Sequence, residues 1–152
     1  MRRAQDIMTK EIVTVFPETE IAQAAKLLLE NHFNGLPVVD QEGKLQGIIC
    51  QDDLIIQQKK IPIPSFFNLL DGLIPLSSPQ KIEKEVKKIA ATTVGEAMTI
   101  HPITVEPDTS LEDIATLMVN KNIHTLPVVS HGKLVGIVGK EDILRTLLPQ
   151  SE

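Results

Sequence analysis

One sequence unit is written twice in this chain of 152 residues, and that duplication decides which architectures are open to it. At an offset of 90 residues, Met8-Thr9 falls on Met98-Thr99, Thr14-Val15 on Thr104-Val105, Pro17 on Pro107, Thr19 on Thr109 and Ala25 on Ala115. Leu36-Pro37-Val38-Val39 falls on Leu126-Pro127-Val128-Val129 in the same register. One residue is then lost, and an offset of 89 aligns Gly43-Lys44-Leu45 with Gly132-Lys133-Leu134, Gly47-Ile48 with Gly136-Ile137 and Asp53 with Asp142. A length change placed in a turn leaves the strands on either side intact, so the unit that repeats is a structural one.

Each copy can be read locally. Ile12 to Val15 and Ile103 to Val105 are β-branched runs stopped by Pro17 and Pro107, which predicts a strand leading into a turn. Thr109 with Glu112 predicts a capping box ahead of Leu111, Ile114, Ala115 and Met118, which recur at helical spacing. Ile21, Ala24, Ala25, Leu28 and Leu29 repeat that face behind Thr19. Leu36 to Val39 and Leu45 to Cys50 bracket a turn in which Gly43 supplies the left-handed position, and the second copy uses the shorter His131-Gly132. Asp52 to Gln58 and Glu141 to Leu148 read as closing helices.

The order strand, helix, strand, strand, helix, twice over, predicts an α/β (α+β) fold in which two units too small to cover their own sheets share one core. The units are placed at 5–60 and 94–149, joined by a linker at 61–93. Ile61 to Ser78 is rich in Pro and Ser and reads as a crossover loop. Gln80 to Ala91 reads as an amphipathic helix with Ile82, Val86 and Ile89 on one face and charged residues solvating the others.

Composition narrows the function. A net charge of −5 and scattered lysines give no basic field for nucleic acid. Cys50 is the only cysteine, so no internal disulfide forms and a reduced cytoplasm suits the chain. The N-terminus leads into no signal-peptide run, and Pro62, Pro64 and Pro75 interrupt the apolar stretch from Ile61 to Leu76 well short of a bilayer span, so no membrane is expected. His32, His101 and His131 lack metal-ligand spacing and are expected at the surface. No nucleophile with its base, metal cluster or nucleotide-binding glycine fingerprint appears; Gly47 and Gly136 read as isolated strand glycines. The expectation is a non-catalytic chain needing no cofactor.

The ordered set of a Met-Thr pair, a Thr-Val-x-Pro run, a Leu-Pro-Val-Val strand and a Gly-Ile-x-x-x-x-Asp junction, present twice, resembles a tandem pair of CBS (cystathionine beta-synthase) domains standing alone. The resemblance implies two units related by a pseudo-twofold axis, with two clefts between them of the kind that hold AMP, ADP, ATP or S-adenosylmethionine. It places the base near the first strand, the ribose hydroxyls on the Asp and the phosphates near the residues before Leu-Pro-Val-Val. By motif, one site would use Met8, Ile12, Val13, Asn34, Cys50 and Asp53, and the other Met98, Pro102, Ile103, His124, Gly139 and Asp142.

Independently of the resemblance, Asp53 and Asp142 stand where an apolar strand meets a helix, and such a carboxylate can cap the helix or accept two ribose hydroxyls. Cys50 and Gly139 depart from the Ser or Thr that nucleotide-binding members usually carry there, and Gly35 and Thr125 stand where phosphate binders often have a basic residue. His124 either donates to a phosphate or fills a half-buried polar position. His124 and Lys140 together predict tighter binding in the cleft of Asp142 than in that of Asp53, whose neighbours are Asn34 and Gln51. The expected protein is a regulatory module for an adenosine-containing ligand, dimeric through its helices and the apolar Phe66-Phe67 linker, passing its output to a regulated enzyme or transporter. The alternative is a dimerisation scaffold with no physiological nucleotide.

Overall fold

The Leu-Pro-Val-Val segments fold as the first strands of two antiparallel hairpins. The computed structural model describes residues 2–56 and 91–149. The expected crossover loop, Phe66-Phe67, nearly all of the expected linker helix and the end of the helix expected at Asp52 to Gln58 lie outside those residues. In the first repeat, α1 (Ala4–Ile7) and α2 (Ile21–Asn31) precede β1 (Gly35–Val39), β2 (Leu45–Cys50) and α3 (Gln51–Ile55). The second repeat runs α4 (Val94–Ala97), β3 (Thr99–Ile100), α5 (Leu111–Asn120), β4 (Thr125–Ser130), β5 (Lys133–Gly139) and α6 (Lys140–Arg145).

Leu36 pairs with Ile49 across the first hairpin and Leu126 with Val138 across the second. The missing residue is absorbed in the turn. Asp40 Oδ1 accepts the N–H groups of Glu42 and Lys44, each at 2.9 Å, and Gly43 takes φ 84°. The shorter turn places both His131 (φ 51°) and Gly132 (φ 80°) in the left-handed region, as a two-residue hairpin of matching twist requires. On the helices, Ala24 and Leu28 of α2 and Ile114 and Met118 of α5 are buried as their spacing predicted, but Leu29, expected on the same face, is exposed.

Three local expectations are corrected. The runs Ile12 to Val15 and Ile103 to Val105 are not strands; each contributes one parallel bridge, Val15 to Val38 and Val105 to Val128. Val15 donates to the Pro37 carbonyl and accepts from Val39, and continuing that ladder in either direction would need an N–H from Pro37 or Pro17. Neither has one. Pro127 and Pro107 stop the second copy in the same way. The helix cap is Ser110, whose hydroxyl accepts the Asp113 N–H at 3.1 Å, and not Thr109. Thr109 and Thr19 instead close the preceding turns, accepting the N–H groups of Glu106 and Phe16 at 3.0 Å. Finally α6 stops at Arg145, after which Thr146 to Leu148 continue through bonds three residues apart, the tighter geometry of a helix end.

In place of the one shared core expected, the buried residues form two clusters, each built from both repeats. Ala4, Ile7 and Met8 pack with Val105, Ile114, Leu126, Val128 and Val138 of the second repeat. Reciprocally, Ala91, Val94, Ala97 and Met98 pack with Val15, Leu28, Leu36 and Ile49 of the first. Backbone bonds fix the exchange: Ala4 donates to Thr109 and Val94 to Thr19, both at 2.8 Å. The lead-in segments then cross the far repeat's second strand, Thr99 and Ile100 on β2 and Thr9 on β5. Gly47 and Gly136 sit at the crossings. A Cβ on Gly47 would lie 2.7 Å from the Thr99 carbonyl oxygen and 2.8 Å from Met98 Sδ, and one on Gly136 would run into Met8 Sδ.

The lead-in helices are short and hold their first turn with carboxylates. Asp6 Oδ2 accepts the Arg3 N–H at 2.8 Å. Glu96 Oε1 accepts the hydroxyls of Thr93 at 2.9 Å and Thr92 at 3.1 Å, together with both backbone N–H groups. These bonds, the Thr93 hydroxyl foremost, hold the Glu96 carboxyl below its ordinary value of 4.5.

Two outcomes are expected. Gly47→Ala should lower stability by about 1–3 kcal/mol in urea unfolding, since the Thr99 carbonyl cannot move without disturbing both cores, and Gly136→Ala should cost less, since only the Met8 side chain must give way; an unchanged Gly47→Ala midpoint would show that the crossing gives freely. A carboxyl depressed in the folded state stabilises it above the unfolded pKa, and that contribution is lost as pH falls through the lower, folded one. Wild-type protein should therefore lose stability between about pH 5 and pH 3 more steeply than Glu96→Gln, and parallel pH profiles would remove Glu96 from the account.

Candidate functional site

Where each hairpin ends and its closing helix begins, a carboxylate at the third helical position turns back on the strand. Asp53 Oδ2 accepts the Cys50 N–H at 2.8 Å, and Asp142 Oδ2 accepts the Gly139 N–H at 2.7 Å. The capping read from the sequence is met from inside the helix: the N-cap residues are Cys50 and Gly139, and the Asp at the third position accepts their N–H groups. The loop before each first strand is tied to the same place, Gln51 donating to the Asn34 carbonyl at 3.0 Å and Lys140 to that of His124 at 3.1 Å.

A cavity opens beside each junction. The larger, about 540 Å³, combines Cys50, Gln51 and Asp52 of the β2–α3 junction with Thr99, Pro102 and Ile103 of the second lead-in and Asn122, Ile123 and His124 after α5. The smaller, about 120 Å³, combines Gly139, Lys140 and Glu141 with Thr9, Val13, His32, Phe33 and Asn34. At the repeat offsets these are largely the same positions: Thr99 and Thr9, Ile103 and Val13, Ile123 and Phe33, His124 and Asn34, Cys50 and Gly139. The two cavities are therefore pseudo-twofold copies, each taking its junction from one repeat and its opposite wall from the other.

That grouping corrects the sequence reading, which drew each site from one repeat. Asn34 and Cys50 share the larger cavity with Pro102, Ile103 and His124, while Val13 and Asn34 share the smaller one with Gly139 and Asp142. Asn34, Thr125 and Lys140 border both. Ile12, Met8 and Met98 line neither of these cavities; the two methionines lie over Gly136 and Gly47. Asp53 is 7% exposed and sits behind the wall of the larger cavity, where the Thr99 hydroxyl donates to its Oδ1 at 3.3 Å. The ranking that favoured the cleft of Asp142 loses its premise, because His124 belongs to the larger cavity and Lys140 serves both.

Sequence reasoning missed Thr99, His101, Asn122 and Ile123 in the larger cavity. The signal that could have found them was Gly47. A glycine inside an apolar strand marks close backbone approach, and only the Met98-Thr99 crossing brings the second lead-in over the first junction. His32, His101 and His131 are exposed as expected, with His101 at the cavity rim. Among the described residues no three His, Cys, Asp or Glu side chains are grouped to hold a metal ion.

A volume of about 540 Å³ lies within the roughly 300–1,000 Å³ of small-molecule sites. Ile48, Ile103 and Ile123 give it apolar walls. Thr99, Asn122 and His124 add donors and acceptors, and Lys140 and Asp52 add opposite charges.

The family model of the CBS domain matches residues 4–59 and 94–149. The uncharacterized protein MJ1426 of Methanocaldococcus jannaschii is 34% identical over 154 residues, covering 95% of this chain and 90% of its own length. The chloroplastic CBS domain-containing protein CBSX2 of Arabidopsis thaliana is 31% identical over 150 residues; the match spans 94% of this chain but 62% of that protein. Its crystal structure in complex with AMP superposes with a TM-score of 0.79 at 29% identity, covering 96% of each chain. The CBS domain pair of protein MJ0100, in complex with 5′-methylthioadenosine and S-adenosyl-L-methionine, superposes with a TM-score of 0.69 at 30% identity over 96% of this chain and 95% of that one.

Asp53 joins the junction to the opposite lead-in, so Asp53→Ala should cost about 1–3 kcal/mol in chemical denaturation and Thr99→Val about 1 kcal/mol. If Thr99→Val were neutral, the hydroxyl would contribute nothing to holding the cavity wall.

Proposed function

Because the chain belongs to the CBS domain family, matched at residues 4–59 and 94–149, we propose that it is a regulatory module that binds an adenosine-containing ligand in the cavity beside Cys50. One observation carries this reading. The larger cavity has nucleoside size and its walls come from both repeats, so a ligand there holds the two units together. Similar CBS pairs binding AMP, or 5′-methylthioadenosine and S-adenosylmethionine, support the same ligand class. Ile103 and Ile123 suit the base, Thr99 and Asn122 the ribose, and His124 and Lys140 an anionic group.

A ligand touching both repeats binds best to one relative arrangement of them, and its differential affinity is what shifts the module between states. In this reading the chain is a binding module and not an enzyme. Its receiving partner is a regulated enzyme or transporter, and its place a reducing cytoplasm. Among the described residues no helix is long and apolar enough to cross a membrane.

A second copy of the chain is proposed as a partner. Leu29 and Ile55 of the first repeat, and Val119 and Leu144 at the equivalent positions of the second, are all exposed. The duplicated unit thus presents the same apolar pair twice, and two such faces can cover each other.

The scaffold alternative draws on Cys50 and Gly139, which put no hydroxyl at either junction. Calorimetry and thermal shift with AMP, ADP, ATP and S-adenosylmethionine separate the two readings. Ligand at 100 times its Kd should stabilise the fold by about 2.7 kcal/mol, whereas no heat and no shift at millimolar concentration would leave the scaffold. Light scattering at tens of micromolar should give a dimer mass that Leu29→Glu with Val119→Glu reduces to a monomer; a monomeric wild type would end the dimer proposal.

A further inference from the structure

The two cavities match in position and differ in what fills them. Where the larger has Ile123, the smaller has Phe33. Where the first repeat has Ile56, the second has Arg145, which lines the smaller cavity. Arg145 Nη1 donates to Asp142 Oδ1 at 2.8 Å, and its Nη2 lies 3.6 Å from Glu141 Oε2. Asp142 Oδ2 already accepts the Gly139 N–H, so both carboxylate oxygens are engaged within the chain. The Asp142 side chain is only 12% exposed, which shields its end of the pair from water.

We infer that Arg145 excludes ligand from the cleft of Asp142 and makes the chain a one-site module. The inference rests on the proposed adenosine-ligand reading and adds to it which cleft is used. A ribose would offer Asp142 neutral hydroxyl donors. The guanidinium is a charged donor, and charge-assisted bonds are roughly twice as strong as neutral ones. The cleft is also left at about 120 Å³, below the roughly 300 Å³ where small-molecule sites begin. At the junction of Asp53 the equivalent Ile56 brings no charge, the second oxygen accepts the neutral Thr99 hydroxyl at 3.3 Å, and the adjoining cavity stays open.

The test counts sites by calorimetry of the full chain with AMP. Wild-type protein binds one equivalent per chain. Arg145→Ile, which installs the side chain of the first repeat, binds two, and so does Arg145→Gln, which keeps a polar side chain but removes the charge. Arg145 has a side chain 65% exposed, so both variants keep the fold, which circular dichroism checks, and lose at most the stability of one ion pair. Two equivalents on the wild type, or one on both variants, overturns the inference and leaves the proposed function standing. No AMP on any of the three proteins overturns the proposed function and the inference with it.

Discussion

The fold depends on two crossings where a lead-in segment of one repeat lies against a glycine of the other. Met98 and Thr99 pass over Gly47, and Met8 passes over Gly136. Without a Cβ, each strand admits the crossing segment close enough to hydrogen bond, Thr9 with Ile137 and the pair Thr99-Ile100 with Ile48 and Gly47. Beyond the crossing, each lead-in helix delivers small residues, Ala4 on one side and Val94 and Ala97 on the other, to a core otherwise made by the opposite repeat. The cavities follow from the same geometry, since a junction from one repeat gains its far wall only because the other repeat's chain has been brought across it.

The hairpins, the two long helices and the Asp junctions were legible in the sequence because each rests on local signals: apolar runs bracketing a turn glycine, apolar residues at helical spacing, and a carboxylate following an apolar run. Ile12 to Val15 carried the composition of a strand, yet proline N–H groups missing from a neighbouring segment decided its pairing. Propensity along one run does not report that. The cap moved from Thr109 to Ser110 because both residues are good caps and the turn at Glu106 claimed the first. Grouping the site residues failed for a larger reason. Each side chain was assigned to the repeat that encodes it, and the chain is not packed that way.

At both junctions one carboxylate is asked to do two things. Asp53 and Asp142 each hold the N–H that begins the closing helix, and each has a second oxygen that takes a different partner. One meets a threonine hydroxyl from across the interface, the other an arginine from its own helix. Capping therefore uses one oxygen of each carboxylate, and the partner of the other distinguishes the two junctions.

Reciprocal packing also governs the order in which the protein can be completed. When the first repeat has been synthesised through Ile56, its core still lacks Ala91, Val94, Ala97 and Met98, which the ribosome has yet to make. Meanwhile α1, the first helix to emerge, has no docking surface until Val105 to Val138 exist. Neither half completes its core alone, and the finished fold joins residues far apart in the chain, such as Arg2 with the Thr146 carbonyl. Closing such distant pairs slows folding. Through that interval the apolar lead-in of the nascent chain is an unclaimed segment, and a neighbouring chain at the same stage presents the same complementary surface to receive it.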